Sequence, residues 1–506
     1  MKLQILCDAA GIAYPAKEAE REIGAIETDS RRVSTGAMFV CIRGLHTDGH
    51  TYIAEAIRAG AVCIVTEEDA RPEEVNGILF LKAKNTRRTV SMLYNAWYHD
   101  PVRQLKIIGV TGTNGKTSVT HMLRAILESS LCRCGLIGTV GCESVGRHLE
   151  SHKQDGLANM TTPDPQELYR LLAEMVNDRV EYVLMEVTSH ALALGKLEPI
   201  TFEAAIFTNL TPEHLDFHGT MEAYASAKAE LLEKSRLSVI NIDSPYADMM
   251  RAHAKGRCVS CSVENEADYT AQGISQSEVG VSYRLCSDNS QLRISCPIPG
   301  SFTVINSMQA AACAAELGFG ASVIKDALSV LTGVRGRMER VKLGLGADFT
   351  LLIDYAHTPD ALENLLRTAK GLQKKGRVVL IFGCGGDRDR SKRAVMGRIA
   401  SDHADYVIVT SDNSRSEDPE EIIREILTGI DPKKPHTVIP DRREAIRYAV
   451  QNARARDLIL LAGKGHEEYE ITREGRRPFS EKEIAKEAFL MRRRSQYNTD
   501  SLENEP

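Results

Sequence analysis

The feature that most constrains the fold is an apolar strand that passes through a glycine-containing loop directly into an amphipathic helix. The strand reads KIIGV at 106–110, the loop reads TGTNGKT at 111–117, and the helix covers 118–130. Glycines allow backbone N–H groups to turn toward a bound anion, and the N-terminus of a helix adds positive potential. This order predicts a parallel α/β sheet with a phosphate-binding loop at the start of a helix.

Two side chains of this loop carry the expected chemistry. Lys116 would neutralise phosphate charge, and the Thr117 hydroxyl would ligate Mg²⁺. The strict pattern G-x-x-x-x-G-K-[ST] requires glycine at 110, where this chain has Val110. The departure weakens an assignment to the GTPases or the transport ATPases. A chance glycine turn before a helix is the remaining alternative.

Strand-like apolar runs alternate with helical patterns after the loop. These runs lie at 182–187, 204–210, 237–243, 350–356, 377–383, 405–411 and 457–463. Such alternation indicates parallel sheets covered by helices, with a second doubly wound domain in the last third of the chain. Residues 260–300 are polar and lack periodicity, so loops or small antiparallel strands are expected there.

The length of 506 residues suggests about three domains in an α/β chain. A small α/β domain is expected over 1–100, and a central ATPase domain with a phosphate loop and a parallel sheet over 101–334. A Rossmann-like domain follows over 335–495. The polar, acidic tail over 496–506 is expected to be mobile.

The charge and the apolar runs argue against two classes of partner. The net charge of −6 gives no general reason to bind nucleic acid or an anionic membrane. The segment before Asp8 has no long apolar stretch, so a signal peptide is not expected there, and the apolar runs are far shorter than the roughly 20 residues of a membrane helix. The twelve cysteines are typical of reduced thiols, so a cytoplasmic protein is expected. The C-x-x-C at Cys258 and Cys261 leaves a metal or redox site as an alternative.

Acidic and imidazole side chains follow the loop where a nucleotide-bound metal would need ligands. Glu186 ends an apolar strand and could reach Mg²⁺ directly or through water. His214, Asp216 and His218 are concentrated in the loop after another strand. Zinc is an alternative for these three, although no further Cys or His completes such a site.

Lys228 lies on the apolar face of a helix for which Thr220 is the expected N-cap. Tyr224, Lys228 and Leu231 are spaced i, i+4 and i+7, so they share one face. One interpretation is a lysine with a buried stem and a hydrated ammonium. The other is a lysine that has been chemically altered beside a metal-bearing site.

Seven segments, in this order, together resemble the Mur ligases, a family that forms amide bonds with ATP during peptidoglycan synthesis. They are GTNGKT (112–117), MEVTSHAL (185–192), TNLTPEHLDFHG (208–219), EAYASAKAELL (222–232), RGRMER (335–340), DYAHTPDAL (354–362) and FGCGGDRDRSKR (382–393). Within the family, the set is most similar to the members that add the third amino acid.

The resemblance implies a catalytic set and a nucleotide site in the central domain. Catalytic roles fall on Lys116, Glu186, His214 and Lys228. Mg²⁺ would be held by Thr117, Glu186, His214 and a CO₂-derived carbamate on Lys228, which makes His214 a metal ligand rather than a general base. ATP, the co-substrate, would contact Gly112, Thr113, Asn114, Gly115, Lys116, Thr117, Ser118, Asn306, Arg337 and Asp354.

The resemblance also implies a UDP-sugar site that begins in the N-terminal domain. Its residues would be Thr28, Ser30, Leu45, His46, Thr47, Thr161, Thr162, Thr188, Leu194 and Lys196. Two of them depart from the family, because Leu194 replaces a common Gln and Lys196 a common Arg. Lysine keeps the charge but cannot form the bidentate contact of arginine.

A third implied site binds the incoming amino acid. It would comprise Arg388, Asp412, Asn413, Ser414, Arg415, Gly463 and Glu467. Relatives that add meso-diaminopimelate carry D-N-P-R where this chain has D-N-S-R at 412–415. A guanidinium there can bind the second carboxylate of diaminopimelate but would repel the distal amine of lysine. Ser414 in place of proline removes a fixed φ from this loop.

The implied reaction adds meso-diaminopimelate to the D-glutamate γ-carboxylate of UDP-MurNAc-L-Ala-D-Glu through an acyl phosphate, in a monomeric enzyme. L-Lysine or another diamino acid is the alternative substrate. A folylpolyglutamate synthase should lack the N-terminal UDP-binding domain. A non-catalytic nucleotide-binding protein would have no need to retain all five of the residues Lys116, Glu186, His214, Lys228 and Arg337.

Overall fold

The computed structural model describes residues 1–44, 47–68, 77–150, 160–277, 279–288, 290–373 and 375–503. Leu45 and His46, which the resemblance places at the UDP-sugar site, lie outside the described residues.

The N-terminal part is built on a parallel sheet with the strand order β1-β2-β3-β4. Its elements are α1 (Leu3–Ala10), β1 (Ala25–Glu27), β2 (Ala37–Val40), α2 (Ile53–Arg58), β3 (Cys63–Thr66), β4 (Leu79–Lys82) and α3 (Thr86–Trp97). Strands β2 and β3 are buried along their whole length, as the apolar runs at 37–42 and 61–67 indicate.

The central part contains the predicted strand, glycine loop and helix, and its helix begins at Lys116, within the loop motif. Its first elements are β5 (Lys106–Thr111), α4 (Lys116–Ser129), β6 (Cys134–Gly138), β7 (Gly141–Ser144), β8 (Arg147–His148), α5 (Pro165–Asn177), β9 (Tyr182–Glu186), α6 (Ser189–Ala193), β10 (Phe202–Phe207), α7 (Leu215–His218) and α8 (Met221–Glu233). Then follow β11 (Ser235–Asn241), α9 (Ala247–His253), β12 (Arg257–Ser262), β13 (Tyr269–Ser277), β14 (Gly280–Ser287), β15 (Ser290–Cys296), α10 (Phe302–Glu316) and α11 (Ala321–Ser329).

One sheet joins the central strands in the order β15-β14-β13-β12-β11-β10-β5-β9-β6-β7-β8. The strands from β12 to β6 pair in parallel, and β5 lies between β10 and β9. Residues 260–300 form the antiparallel strands β13–β15 of this same sheet, which are longer than the small strands expected. Much of β13 is exposed, which explains why its sequence lacks apolar periodicity.

The C-terminal part has the strand order β16-β17-β21-β18-β19-β20, parallel except for β16. Its elements are β16 (Glu339–Arg340), β17 (Thr350–Asp354), α12 (Pro359–Leu372), β18 (Val378–Phe382), α13 (Lys392–His403), β19 (Tyr406–Val409), α14 (Pro419–Leu427), β20 (His436–Val438), α15 (Arg442–Gln451), β21 (Leu458–Ala462), β22 (Tyr469–Thr472), β23 (Gly475–Pro478) and α16 (Glu481–Glu503). The predicted doubly wound fold is confirmed. Helix α16 continues to Glu503, so no break in the helix sets apart the tail predicted from residue 496.

Two further findings bear on the sequence analysis. The described helices include none with the length and apolar character needed to cross a bilayer. The cysteines, including Cys258 and Cys261 on β12, are free thiols in the described part of the chain.

A buried ion pair joins the starts of α15 and α16. Arg442 Nε donates to Glu481 Oε1 over 2.8 Å, and the two side chains are 0% and 2% exposed. The same guanidinium donates to the carbonyls of Ser411 and Ala462. The pair therefore ties both helices to the loops that follow β19 and β21.

We predict that Glu481→Ala destabilises this part of the chain by about 3–5 kcal/mol, because it leaves a buried guanidinium without its carboxylate. Hydrogen exchange of α15, α16 and β21 measures the free energy of opening. Glu483→Ala is the control, since it removes an exposed pair with Lys486 and should cost less than about 1 kcal/mol. Equal exchange in the two variants would contradict the prediction.

Candidate active site

A cleft of about 1470 Å³ lies between the three parts of the chain. Of the predicted site residues, those that line it are Thr28, Thr161, Thr162, Thr188, Leu194, Lys196, His214, Arg388, Asp412, Asn413, Arg415, Gly463 and Glu467. Residues of the predicted UDP-sugar and amino-acid sites, together with His214, therefore face one space. Outside this lining, among the described residues, lie Ser30, Thr47, residues 112–118, Glu186, Lys228, Asn306, Arg337, Asp354 and Ser414.

The glycine loop is held against the end of β10 by close backbone contacts. Gly112 has a φ of 145°, and a Cβ there would lie 1.9 Å from Thr208 Oγ1. Gly115, the N-cap of α4, has a φ of 87°, and its Cβ would lie 2.7 Å from Asn306 Oδ1. Asn209 Oδ1 accepts from the Asn114 N–H over 2.9 Å. Both glycines are required by the approach of neighbouring residues.

Two lysines converge on the carbonyl of Gly112. Lys116 Nζ donates to it over 2.8 Å, and Lys228 Nζ donates to it over 2.9 Å. Lys228 is 2% exposed, so the interpretation with a hydrated ammonium is wrong. Burial and the neighbouring charge of Lys116 hold the pKa of Lys228 well below its usual value. Thr220 caps the helix that carries Lys228, as predicted.

The buried carboxylate of Glu186 connects the loop to the next strand. Thr117 Oγ1 donates to Glu186 Oε2 over 3.0 Å. Thr139 donates to the same carboxylate through its N–H and its hydroxyl, both over 2.9 Å. Arg337 Nη2 in turn donates to Thr117 Oγ1 over 3.3 Å. Thr117 and Glu186, two of the predicted metal ligands, are therefore in direct contact.

His214 lies further along the cleft and contacts other rings. Its φ is 57°, and its ring lies 4.7 Å from that of His190 and 6.2 Å from that of Tyr224, measured between centroids. Burial lowers the pKa of His214, and the Glu213 carboxylate opposes this change. Tyr224 and Thr113 are joined by a hydrogen bond of 3.2 Å between their hydroxyls. His214 thus connects to the glycine loop through Tyr224.

The zinc alternative finds no support in this loop. Among the described residues, no three His, Cys, Asp or Glu side chains are grouped so that they could hold a metal. His218 Nε2 is instead 2.9 Å from Ser189 Oγ.

The C-terminal part reaches the glycine loop at two points. Asn114 Nδ2 donates to Asp360 Oδ2 over 2.7 Å, and Arg337 contacts Thr117 as described. The Arg337 guanidinium also lies 4.9 Å from the centroid of the Tyr355 ring. Asp354 accepts from the Met338 and Ala356 N–H groups, and burial raises its pKa. Both Arg337 and Asp354 therefore lie where the last part of the chain meets the loop.

Threonine hydroxyls form the wall of the cleft beside Glu186. Thr162 Oγ1 donates to the Glu186 carbonyl over 2.9 Å and lies 3.2 Å from Thr188 Oγ1. Thr161 Oγ1 lies 3.0 Å from Thr139 Oγ1. Lys196 forms an ion pair of 2.8 Å with Asp164, a residue that also lines the cleft.

The opposite wall holds two neighbouring arginines. Burial and the charge of Arg415 both lower the pKa of Arg388. Arg415 has a φ of 52°, and its Nη1 donates to the Gly386 carbonyl over 2.7 Å. The Arg415 N–H donates to the Ile471 carbonyl, and the Ser414 carbonyl accepts from the Glu417 N–H. Hydrogen bonds on both sides therefore hold this loop despite the serine at 414.

A fully buried lysine organises the acidic end of this wall. Lys464 Nζ donates to Asn413 Oδ1 over 2.9 Å and lies 3.8 Å from both Asp412 and Glu467 carboxylates. Asn413 Nδ2 donates to Glu467 Oε2 over 2.7 Å. Burial and Asp412 raise the pKa of Glu467. A Cβ at Gly463 would lie 2.5 Å from Asp412 Oδ2, so only glycine fits beside this carboxylate.

Four further side chains hold the site together although they are not among the predicted site residues. They are Thr139, Glu213, Asp360 and Lys464. The sequence does indicate Asp360 and Lys464, since each lies close along the chain to a predicted site residue. It gives no such indication of Thr139, because its contact with Glu186 joins strands that are distant in sequence.

Comparisons with known proteins cover nearly the whole chain. Residues 110–314 match the Mur ligase middle domain, residues 336–465 match the Mur ligase glutamate ligase domain, and residues 22–95 match the Mur ligase family catalytic domain. The chain is 43% identical over 468 residues to a UDP-N-acetylmuramoyl-L-alanyl-D-glutamate–2,6-diaminopimelate ligase of Caldanaerobacter subterraneus subsp. tengcongensis, covering 92% of this chain and 94% of that one.

Two further comparisons agree. The ligase of the same name from Clostridioides difficile is 40% identical over 494 residues, covering 97% of this chain and 99% of that one. A solved structure of a ligase of this name matches with a TM-score of 0.69 and 32% identity, covering 97% of this chain and 100% of that chain. The matched domains and these relatives together show that the chain belongs to the Mur ligase family, the ATP-dependent ligases that form peptide bonds.

Proposed function

We propose that this enzyme joins meso-diaminopimelate to the γ-carboxylate of D-glutamate in UDP-MurNAc-L-Ala-D-Glu, with hydrolysis of ATP to ADP and phosphate. The names of relatives at 40–43% identity support this substrate pair. The observation that carries the proposal is the pair Arg388 and Arg415, two neighbouring cations that line the same cleft as the acidic residues Asp412 and Glu467. An amino acid with two carboxylates and two amines complements this arrangement.

The UDP-sugar peptide would occupy the side of the cleft formed by the N-terminal and central parts. Thr28 and Thr162 line that side, and Ser30 lies close to Thr28 in the chain. Lys196 would bind a carboxylate or phosphate of this substrate, although its ion pair with Asp164 must then rearrange or be shared. The glutamate end of the peptide would point toward Thr161, next to the Glu186 carboxylate.

Acyl activation would take place between the threonine wall and the glycine loop. The substrate γ-carboxylate attacks the γ-phosphorus of ATP. The bond between this phosphorus and the oxygen that bridges to the β-phosphate breaks, so ADP departs and an acyl phosphate is formed. The amine of the incoming amino acid then attacks the acyl carbon, and phosphate leaves. Lys116 would neutralise the charge that repels the carboxylate from the triphosphate. Contacts from Arg337 and Asp360 to the loop would exclude water that could hydrolyse the acyl phosphate.

The residues around Thr117 fit a hard divalent cation. A hydroxyl and a carboxylate 3.0 Å apart supply the oxygen donors that Mg²⁺ prefers. Thr117, Glu186, His214 and a carbamate on Lys228 would hold it. A cation in this place would neutralise phosphate charge during the transfer. The chain's own contribution is to orient these donors, because Thr139 fixes the Glu186 carboxylate with two hydrogen bonds.

The surroundings of Lys228 favour the carbamate. Burial and Lys116 disfavour its charged form, and the uncharged amine is the form that adds to CO₂ with loss of a proton. The product would place an anion beside Lys116, where the ammonium form of Lys228 is repelled. This change turns a repulsive neighbour into an attractive one.

The diaminopimelate would lie across the C-terminal wall. Its distal carboxylate would bind Arg388 and Arg415, and its distal amine would face Glu467 and Asp412. Residues 1–100, 101–334 and 335–495 would form the three domains of a monomeric cytoplasmic enzyme.

We expect Lys228→Ala to lower the rate of amide formation by about two to three orders of magnitude, since the site loses a ligand of the Mg²⁺ that would balance phosphate charge. Short carboxylic acids such as formate should restore part of the rate by filling the site of the carbamate. Phosphate release with UDP-MurNAc-dipeptide and diaminopimelate is the measurement. Lys234→Ala, at the end of the same helix and paired with Glu198, is the matched control. Full activity of Lys228→Ala with unchanged Mg²⁺ dependence would refute the carbamate.

Arg415→Ala should lower kcat/KM for meso-diaminopimelate by about 30-fold, equivalent to about 2 kcal/mol for a lost charged contact. The kcat/KM for L-lysine should not fall, because lysine lacks the distal carboxylate and its distal amine is no longer repelled by Arg415. The assay compares both amino acids with the parent and the variant. Arg424→Ala, an exposed arginine paired with Glu421, controls for loss of a positive charge. A parent enzyme that prefers lysine would overturn the proposed substrate.

A further inference from the structure

The two arginines of the amino-acid wall are carried by two different loops. Arg388 belongs to the loop after β18, and Arg415 belongs to the loop after β19. Arg415 Nη1 donates to the Gly386 carbonyl over 2.7 Å, so its guanidinium lies against the loop that carries Arg388. Burial and the charge of Arg415 accordingly lower the pKa of Arg388. Like charges on separate loops move apart unless other contacts hold the loops together. The structure must therefore contain a restraint that opposes this repulsion.

Such a restraint lies directly behind the arginines. Glu417 Oε1 accepts from the Asp387 N–H over 2.6 Å, so a carboxylate of the second loop holds the backbone next to Arg388. Ser416 Oγ donates to Asp387 Oδ1 over 2.6 Å, and the Gly386 N–H donates to the Asn413 carbonyl over 2.9 Å. We call this set of contacts, together with Arg393, the loop clasp.

Arg393, on α13, is the centre of the loop clasp. Its side chain is 0% exposed, and it donates to both oxygens of Glu417 over 2.8 and 2.9 Å. It also donates to Glu425 Oε2 over 2.8 Å and to the Gly385 carbonyl over 3.3 Å. One buried cation thus contacts the first loop at Gly385 and the second loop at Glu417.

The loop clasp is not explained by stability alone. Arg393 Nε is buried without a hydrogen-bond partner in the described part of the chain, and burial of a charge is costly even when it is paired. An apolar side chain of similar volume often stabilises a fold at least as well as a buried ion pair does. The hydrogen bonds of Arg393 lower the pKa of Glu417 to about 2, so this carboxylate stays ionised across the working pH range.

We propose that Glu417 and Arg393 are positioning residues for amino-acid specificity, which hold Arg388 and Arg415 together so that both guanidiniums can bind one carboxylate. The proposal rests on the proposed function, because it requires an amino acid with a distal carboxylate. Neither residue lines the cleft, so neither contacts the amino acid. Loss of the loop clasp allows the guanidiniums to separate, and the contact to the distal carboxylate weakens.

The test compares two carboxylates that share Arg393. Glu417→Ala should raise the KM for meso-diaminopimelate about tenfold, with a smaller change in kcat and unchanged KM values for ATP and the UDP substrate. For this variant, the ratio of kcat/KM for diaminopimelate to kcat/KM for L-lysine, which measures discrimination, should fall by about the same factor. Glu425→Ala removes the other Arg393 partner, which bonds neither loop backbone, and should change discrimination less than about threefold. Glu417→Gln should recover part of the loss, because its amide oxygen can still accept from the Asp387 N–H.

Ser416→Ala provides an independent variant if Glu417→Ala does not fold. It removes only the hydroxyl contact to Asp387 and should lower discrimination by roughly threefold. A folded Glu417→Ala or Ser416→Ala enzyme that loses rate equally with both amino acids, or keeps the parent's discrimination, overturns the loop clasp while the proposed substrate stands. A parent that prefers lysine overturns both.

Discussion

The buried carboxylate of Glu186 is the contact on which the arrangement of the site depends. It accepts from Thr117 at the start of α4 and from Thr139 after β6, and its backbone carbonyl accepts from Thr162. One residue therefore fixes the glycine loop, the end of a neighbouring strand and the threonine wall relative to each other. A Cβ at Gly138 would lie 2.3 Å from Glu186 Oε1, so the strand beside it must carry glycine. Burial makes the geometry strict, because each carboxylate oxygen needs its donors.

Around this carboxylate the site divides into two regions, which favour substrate groups of different charge. Lys116 and Arg337 lie against the loop and favour a polyanion. The far wall has its two arginines at one end and the Asp412–Lys464–Glu467 group at the other. Substrates that bind across both regions therefore place phosphate groups near cations and an amino acid near a surface that carries both positive and negative charges. The fold supplies this order because the C-terminal ends of the parallel strands in both large sheets face the same cleft.

The parts of the fold and site that depend on local pattern could be predicted from the sequence. Apolar runs predicted the parallel strands, the glycine loop predicted the start of α4, and the spacing of Tyr224 and Lys228 predicted their common face. The antiparallel strands β13–β15 were harder to predict, because much of their surface is exposed and polar. Contacts such as Asn114 to Asp360 and Arg393 to Glu417 could not be predicted, since both partners look like ordinary loop or surface residues until tertiary packing brings them together.

The strand order also bears on how the molecule avoids pairing with copies of itself. An unpaired strand edge offers its backbone groups to any other strand, and short edge strands limit this hazard. The described residues form four sheets, in which the edge strands β1, β8, β16 and β20 have only two or three residues each, and β4, β22 and β23 have four each. The seven-residue edge strand β15 packs against α11. These sheets thus expose little edge for aggregation, which suits a protein that must present a wide open cleft to its substrates.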